Sequence, residues 1–482
     1  MMRSSLARKA DAPEAQAQAH LRTSGRAPGR SRLARSLTLV AMSLGYGVVQ
    51  LDVTIVNTAL SSIGSSLGGG VAELQWVVSA YTIAFAAFIL SAGAFGDRLG
   101  AKKVFAWGFV IFTAASLACA LAPSPMLLIA ARAIQGLGAA ILVPNSLALL
   151  NHAYPDETER GRAVGMWAAG ASLTLTAGPL AGGGLIALVG WRSIFLVNLP
   201  IGLIGLWLTW RYAEDTARAA SRELDWPGQA AAIGALGLLA GAIIEGGAIG
   251  WSNGWVLASF AIAVGLGILF VLQERRAAQP MLPLSLFAHR MFSRTALVGL
   301  LVNIAFYGLI FVLSLYFQQV NGFTPLATGL AFLPMMGVVL PVNLLAPRAA
   351  EKFGAPAVIA AGAVIGAAGC AALLGIGEGT SYWAIGPQLV AIGGGLGLLV
   401  PPLTSTLLGS VEKSRSGVAA GVLNATRQTG SVLGVALFGS LLGATGAFTT
   451  GARIALIISI ALLLAAAAAI AFGRNRGDKS RR

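Results

Sequence analysis

The sequence contains few charged residues. Asp, Glu, Lys and Arg make up 11% of its 482 residues, whereas hydrophobic residues make up 56%. A soluble globular domain carries about 25% charged residues, so this chain cannot cover itself with groups that water solvates. We therefore expect most of it to lie in lipid, where backbone polar groups must bond to one another within helices or a closed barrel.

Cysteine and histidine are also scarce. Cys119 and Cys370 both lie inside apolar stretches, which predicts buried thiols and no disulfide. None of the three histidines (His20, His152 and His289) stands near a cysteine or carboxylate at the spacing that metal ligands require. We therefore predict no metal site, and the sequence lacks the set of catalytic residues that is typical of a soluble enzyme. We expect no enzymatic activity and no cofactor.

Long apolar runs dominate the chain, and they do not alternate with a period of two, which excludes a barrel. Each run has about 20 residues, the length of a helix that crosses ~30 Å of hydrocarbon. The fold class is therefore all-α and integral to the membrane. The fourteen predicted spans are 37–60, 74–95, 104–122, 126–149, 162–188, 194–211, 228–246, 254–272, 296–318, 326–346, 356–376, 382–408, 418–444 and 453–473.

The basic residues predict the orientation of these spans. With residue 1 in the cytoplasm, 29 of the 33 Lys and Arg residues fall in cytoplasmic tails and loops. Only Arg192 and Arg453 fall outside, and Arg132 and Arg427 fall within spans. This asymmetry obeys the positive-inside rule and places both termini in the cytoplasm. The net charge of +15 thus reflects the membrane and predicts no nucleic-acid partner.

The chain resembles itself at an offset of 254 to 257 residues. Residues 97–101 recur as residues 351–355, and the glycines of 136–138 recur in 393–395. Parallel repeats of this kind are typical of transporters that rock two helical bundles about a central site. The two spans between the repeats have no counterpart, and we expect them to be peripheral to transport.

The composition of the termini and the internal repeat together predict five regions. They are a disordered basic cytoplasmic tail (1–36), an N-terminal six-helix bundle (37–212), a linker with two inserted helices (213–295, with helices at 228–246 and 254–272), a C-terminal six-helix bundle (296–473) and a second basic tail (474–482).

An acidic and a basic residue lie at comparable depth in two antiparallel spans. Asp52 belongs to the first span and Arg132 to the fourth, so we expect the two side chains to pair. A carboxylate at this depth costs ~2.5–3.5 kcal/mol on insertion scales, and desolvation favours the protonated form of such a group. Competition for Asp52 between a proton, a substrate and Arg132 would couple their exchange. The alternative is a permanent ion pair that only holds helices together.

Two glycine-rich segments suggest moving parts. Small residues let helices approach closely, and proline kinks a helix, so the fifth span predicts a hinge between the bundles or, alternatively, ordinary close packing. In the second connection, Asp97 is predicted to lie against the positive N-terminus of the 418–444 helix; the alternative is a solvated turn. The residues assigned to these two segments are Gly93, Asp97, Arg98, Gly100, Gly178, Pro179, Gly182 and Gly183.

These segments resemble the signature motifs of the major facilitator superfamily, in particular its fourteen-span drug:proton antiporter family. The resemblance rests on residues 51–57, 93–104, 132–140 and 165–183 and extends over about residues 37–473. It implies two six-helix bundles plus two inserted helices, with Asp52 and Arg132 as the proton-coupling residues. Thr174 and Ala101 depart from the family pattern, which prefers glycine and a basic residue at these positions.

The resemblance implies proton-coupled export of small lipophilic, cationic or neutral compounds across a bacterial plasma membrane, with lipid, substrate and protons as partners. Aromatic rings and methionine suit substrates of varied shape. Candidates for the substrate cavity are Asn57, Tyr81, Phe85, Gln135, Trp167, Phe306, Tyr307, Phe311, Phe332, Met335, Met336 and Arg427. A dedicated transporter of one metabolite and a lipid-handling or accessory membrane protein remain alternatives.

Overall fold

The computed structural model describes residues 32–216, 225–277, 279–377, 379–412, 416–444 and 447–471. Over these ranges the chain is helical and contains no β-strand. Fourteen long helices follow one another, and we number them α1 to α14. Their bounds are Arg32–Leu67, Val71–Leu99, Ala101–Leu121, Pro125–Ala153, Glu157–Val189, Ser193–Tyr212, Trp226–Ile249, Gly254–Arg276, Arg290–Val320, Pro325–Phe353, Ala355–Ala372, Tyr382–Gly409, Ser416–Ala444 and Phe448–Ala471.

The fourteen helices match the fourteen predicted spans. Thirteen of them are long and apolar enough to cross a membrane. The remaining helix, α13, has 29 residues, and its first half carries the polar side chains of Asn424, Arg427 and Gln428. Helix α1 begins at Arg32, so residues 32–36 of the predicted tail are helical. The rest of that tail and residues 472–482 lie outside the described residues.

The two bundles repeat the same packing contacts. Gly136 of α4 lies against the carbonyl of Tyr81, and Gly393 of α12 lies against the carbonyl of Met335 in the same way. A Cβ atom at either glycine would overlap the facing backbone. The turn after α2 and the turn after α10 also correspond, because Gly100 and Gly354 both have positive φ angles, 95° and 86°. Only glycine adopts such angles readily.

The first inserted helix, α7, lies against both bundles. Near its N-terminus the Gln229 amide donates to the carbonyl of Ala87 in α2, at 2.9 Å. Near its C-terminus Glu245 accepts a hydrogen bond from the Trp76 indole, at 3.1 Å, and Gly247 lies against Ser440 of α13. Helix α8 packs on α7 and exposes most of its surface. Of the two inserted helices, only α8 is peripheral in position.

Candidate functional site

The structure brings Asp52 of α1 and Arg132 of α4 together as an ion pair. Both side chains are buried, with 0% and 1% of their surface exposed. Since the removal of two charges from water is expensive, a buried pair needs further hydrogen bonds to offset its desolvation. Three helices supply them.

Amide groups complete the shell around the Asp52 carboxylate. The side chains of Gln135 and Asn198 donate to Asp52 Oδ1 at 2.8 and 3.2 Å. Both amides also donate to the hydroxyl oxygen of Ser116, at 2.8 and 3.3 Å. The carboxylate thus accepts bonds from α4 and α6, and α3 supports the two donors.

Arg132 has partners that do not depend on Asp52. Its Nε donates to the Val77 carbonyl at 3.1 Å, and its Nη1 donates to Gln135 Oε1 at 2.7 Å. Its guanidinium also lies 4.2 Å from the ring centroid of Tyr81, which is a cation–π distance. If the carboxyl group of Asp52 took up a proton, the guanidinium would still have a carbonyl, an amide and a ring as partners.

Tyr81 connects this network to the second bundle. Its ring covers Arg132 on one side, and Tyr307 of α9 lies within electrostatic range of its hydroxyl. Tyr307 in turn interacts with Arg427 of α13 and with Tyr46 of α1.

The glycines of the fifth span hold α5 between two other helices. Gly178 and Gly182 lie against Thr54 and Thr58 of α1, while Gly183 faces the opposite way and lies against the Pro325 carbonyl of α10. A Cβ atom at any of these three positions would overlap its neighbour. Helix α5 continues through Pro179 without a break.

The predicted extracellular end of the molecule, the outer end, is closed by contacts between the bundles, which we call the outer seal. The Ser314 hydroxyl of α9 donates to the Asn57 carbonyl of α1, and Gly329 of α10 lies against the Pro179 carbonyl of α5. Towards the inner end, the predicted cytoplasmic end, α2 and α13 stay in contact at Leu90 and Gly421, whereas α5 and α10 have open positions. Gly165 of α5 and Gly337 of α10 have no neighbour within 4 Å of a built Cβ position.

A cavity of about 320 Å³, which we call the inner cavity, lies between the bundles at the inner end. Its walls come from α2, α4, α5 and α13. Asp97 is exposed on one wall, and Val418 and Gly421 from the first turns of α13 lie on the other. Asp97 and the start of α13 therefore line the same cavity, and the predicted contact between them stays a prediction. Gly93 also lines it, whereas Arg98 is exposed beyond it.

The candidate cavity residues fall into separate groups. Trp167 lines the inner cavity, stacked on Tyr46 at 4.3 Å between centroids. Tyr307 and Arg427 lie close to each other between the bundles, and Met336 meets Thr176 where α5 and α10 touch. The remaining candidates lie elsewhere in this conformation: Asn57 at the outer seal, Gln135, Tyr81 and Phe85 at the ion-pair network, Phe306 in a pocket inside the second bundle, and Phe311, Phe332 and Met335 in the core.

Sequence reasoning missed two members of the network, Asn198 and Ser116. Each lies in a mostly apolar span, and each is 0% exposed. An isolated amide in the sixth span was a usable signal, because buried polar groups need partners. The hydroxyl of Ser116 gave no such signal, because serine in a membrane helix can bond to its own backbone, as Ser116 also does to Phe112.

The chain is similar over most of its length to known membrane transporters. The family model described as Major Facilitator Superfamily matches residues 42–435. The chain is 39% identical over 440 residues to the methylenomycin A resistance protein of Streptomyces coelicolor, which covers 91% of this chain and 92% of that protein. It is 39% identical to the multidrug resistance protein Stp of Mycobacterium tuberculosis over 85% of this chain and 76% of the relative.

Solved structures share the fold at low identity. A bacterial homologue of the human lysosomal transporter Spinster, in an inward-facing and unoccupied conformation, superimposes with a TM-score of 0.67 at 18% identity. The match covers 94% of this chain and 99% of that structure.

Proposed function

Because the chain belongs to the major facilitator superfamily, we propose that it is a proton-coupled antiporter that exports small lipophilic, cationic or neutral compounds from a bacterial cell. The observation that carries the proposal is the buried Asp52–Arg132 pair with its amide shell. Its bonds allow the guanidinium to stay satisfied whether the carboxyl group is charged or protonated. The names of the relatives, which include methylenomycin, multidrug and puromycin resistance proteins, support the substrate class.

The proposed transport cycle alternates between a state open at the inner end and a state open at the outer end. In the present conformation the inner cavity receives substrate while the outer seal is closed. Rocking of the bundles opens the outer end and releases the substrate, and Asp52 takes up a proton there on a carboxylate oxygen. The return to the inner-open state releases that proton to the cytoplasm as Arg132 pairs again with the carboxylate. One proton enters for each export step that uses Asp52 in this way.

A dedicated exporter of one compound is the second candidate. It is favoured by relatives named for a single antibiotic, methylenomycin A in Streptomyces coelicolor and puromycin in Streptomyces alboniger. The two candidates share the same coupling chemistry and differ only in the range of compounds accepted. Efflux from cells that express the chain, measured for a panel of cationic dyes and antibiotics, separates them, because a dedicated exporter protects against one compound class only.

Substrate-induced proton release tests the coupling. Purified protein in proteoliposomes with a pH-sensitive dye is expected to release protons when a transported cation is added. Asp52→Asn is expected to reduce this release at least 100-fold, because the side-chain amide of asparagine does not take up a proton near neutral pH. Glu245→Gln is the matched control, since Glu245 is a second acid in a membrane helix but bonds only to Trp76 among the described contacts. Coupled release that survives in Asp52→Asn would refute the proposed role of this residue.

A further inference from the structure

Two cavities lie on either side of the contact between α2 and α13. One is the inner cavity between the bundles. The other, which we call the lateral pocket, has a volume of about 340 Å³ and is bounded by α2, α7, α8 and α13. Leu90 of α2 and Met281 of the segment after α8 line both cavities. These two side chains therefore form the partition between a space inside the transporter and a space on its flank.

The lateral pocket has the chemistry of a lipid-facing site. Its wall contains no charged residue, and Thr429 is its single polar member. Val264, which lines it from α8, is 59% exposed on the outer surface of the molecule. Because Met281 follows α8 at the predicted cytoplasmic end, the pocket faces the inner leaflet. The rest of its lining is Ala86, Ala87, Ala232, Ala235, Leu236, Leu239, Ala263, Gly267, Phe270, Leu282 and Ala425.

Hydrogen bonds hold the backbone near Met281, while its side chain makes one weak bond with the part of the chain that the structure describes. The next amide, that of Leu282, donates to the carboxylate of Glu274 at 2.9 Å, and only 3% of Glu274 is exposed. The Met281 sulfur lies 3.1 Å from the Ser91 hydroxyl, which also bonds to Gln229. A thioether is a weak acceptor, and the methionine side chain is unbranched and flexible. It can swing while the segment stays in place.

Leu90, the other residue of the partition, is held by packing alone. Leu90 faces Gly421 of α13, where a Cβ atom would lie only 2.9 Å from Leu90 Cδ2. Glycine thus makes room for one leucine at the seam between the two bundles. The Leu90 side chain is apolar, so its rotation costs packing and no hydrogen bond.

We propose that Met281 and Leu90 form a gate through which lipophilic substrates pass from the inner leaflet, by way of the lateral pocket, into the inner cavity. The inference rests on the proposed export function and narrows its substrates to compounds that partition into the bilayer. An uncharged wall admits neutral molecules and monocations with a large apolar body, and it rejects strongly charged solutes because their desolvation is too costly. Helix α7, which forms part of the pocket, thereby has a place in the transport route.

Thiol labelling tests the gate independently of transport. In a Cys119→Ala/Cys370→Ala background, Met281→Cys in inside-out phosphatidylethanolamine–phosphatidylglycerol vesicles is expected to react with both bilayer-dissolved N-pyrenylmaleimide and the water-soluble, impermeant sulfonatoethyl methanethiosulfonate. Ala235→Cys in the lateral pocket is expected to prefer the first reagent at least tenfold, and Ala420→Cys in the inner cavity is expected to prefer the second. Leu90→Cys provides an independent second variant. Reaction of both gate variants with one reagent alone would overturn the proposal.

Transport tests the route. With tetraphenylphosphonium as the exported probe, Met281→Trp is expected to lower the initial rate at least fivefold, because the indole fills the partition. Ile111→Trp, in an apolar pocket of about 530 Å³ elsewhere on the membrane surface, is the control and is expected to stay within twofold of the wild type. Dual labelling of Met281→Cys without any export by the wild type would contradict the proposed function alone. Export with an unchanged rate in Met281→Trp would contradict the gate alone.

Discussion

The two bundles differ in what fills the space between their first, third, fourth and sixth helices. In the first, α1, α3, α4 and α6 enclose the Asp52 network. In the second, the equivalent helices α9, α11, α12 and α14 enclose a small cavity of about 20 Å³ whose lining is entirely apolar or glycine. Ser116 corresponds in the repeat to Cys370, and Gln135 corresponds to Ile392. The scaffold is therefore compatible with an apolar filling, which indicates that the polar filling serves function more than stability.

The largest expected effect comes from removing one charge of the pair. Arg132→Met leaves Asp52 buried without its cation, and breaking such a pair costs about 3–5 kcal/mol. The double variant Asp52→Leu/Arg132→Met is expected to recover most of that loss, because apolar replacement of a whole buried pair is often neutral. The free energy of unfolding, measured by SDS titration in mixed micelles, checks both values.

If the double variant is no more stable than Arg132→Met, the first bundle does not tolerate the apolar filling that the second bundle has. The polar network would then be part of the scaffold itself. The double variant must also have lost substrate-induced proton release, because it keeps the fold but has no carboxyl group at this site. Retained release in a stable double variant would place the coupling residue elsewhere.

An intermediate effect should be equal in the two bundles. Gly136→Ala and Gly393→Ala each place a Cβ atom against a carbonyl of the facing helix, and overpacking of this kind costs typically about 1–3 kcal/mol. Gly394→Ala is the matched control, because a Cβ atom there has no neighbour within 4 Å. The same SDS titration is expected to give losses for the first two that agree within 1 kcal/mol. A loss confined to one bundle would show that the repeated contacts are not equivalent.

The sequence predicted the helices well and the site in part. Long apolar runs and the asymmetry of basic residues specify spans because the bilayer constrains their length and flanks. The pairing of Asp52 with Arg132 followed from depth, since a charge in lipid needs a partner. The locations of Phe306 and Met335 could not be predicted in this way. In a membrane helix the faces towards lipid, core and cavity are all apolar, so periodicity does not distinguish them.

Contacts between distant segments were also beyond prediction. Met281 follows the inserted helices, and only the three-dimensional packing brings it against Leu90 and Ser91 of α2. The attachment of α7 to both bundles depends in the same way on single residues such as Gln229. The absence of α7 and α8 from the repeat suggested that both helices are peripheral. The sequence carries no signal for which helices α7 packs against, so its contacts with both bundles could not be predicted.

The smallest expected effect concerns the apolar cavity of the second bundle. Gly366 of α11 lines it, and a Cβ atom there would lie 3.5 Å from Leu463, at ordinary contact distance. Gly366→Ala is therefore expected to stabilise the protein by about 0.4–1 kcal/mol, because it fits the helix and restricts the unfolded chain. Gly362→Ala, one turn away, would instead place its Cβ atom 2.6 Å from the Gly395 carbonyl and is expected to destabilise. Opposite signs in SDS titration, with proton release unchanged in Gly366→Ala, would establish that the second bundle tolerates a fuller apolar core without any change in coupling. A loss of proton release in Gly366→Ala would mean that this cavity is used during the transport cycle.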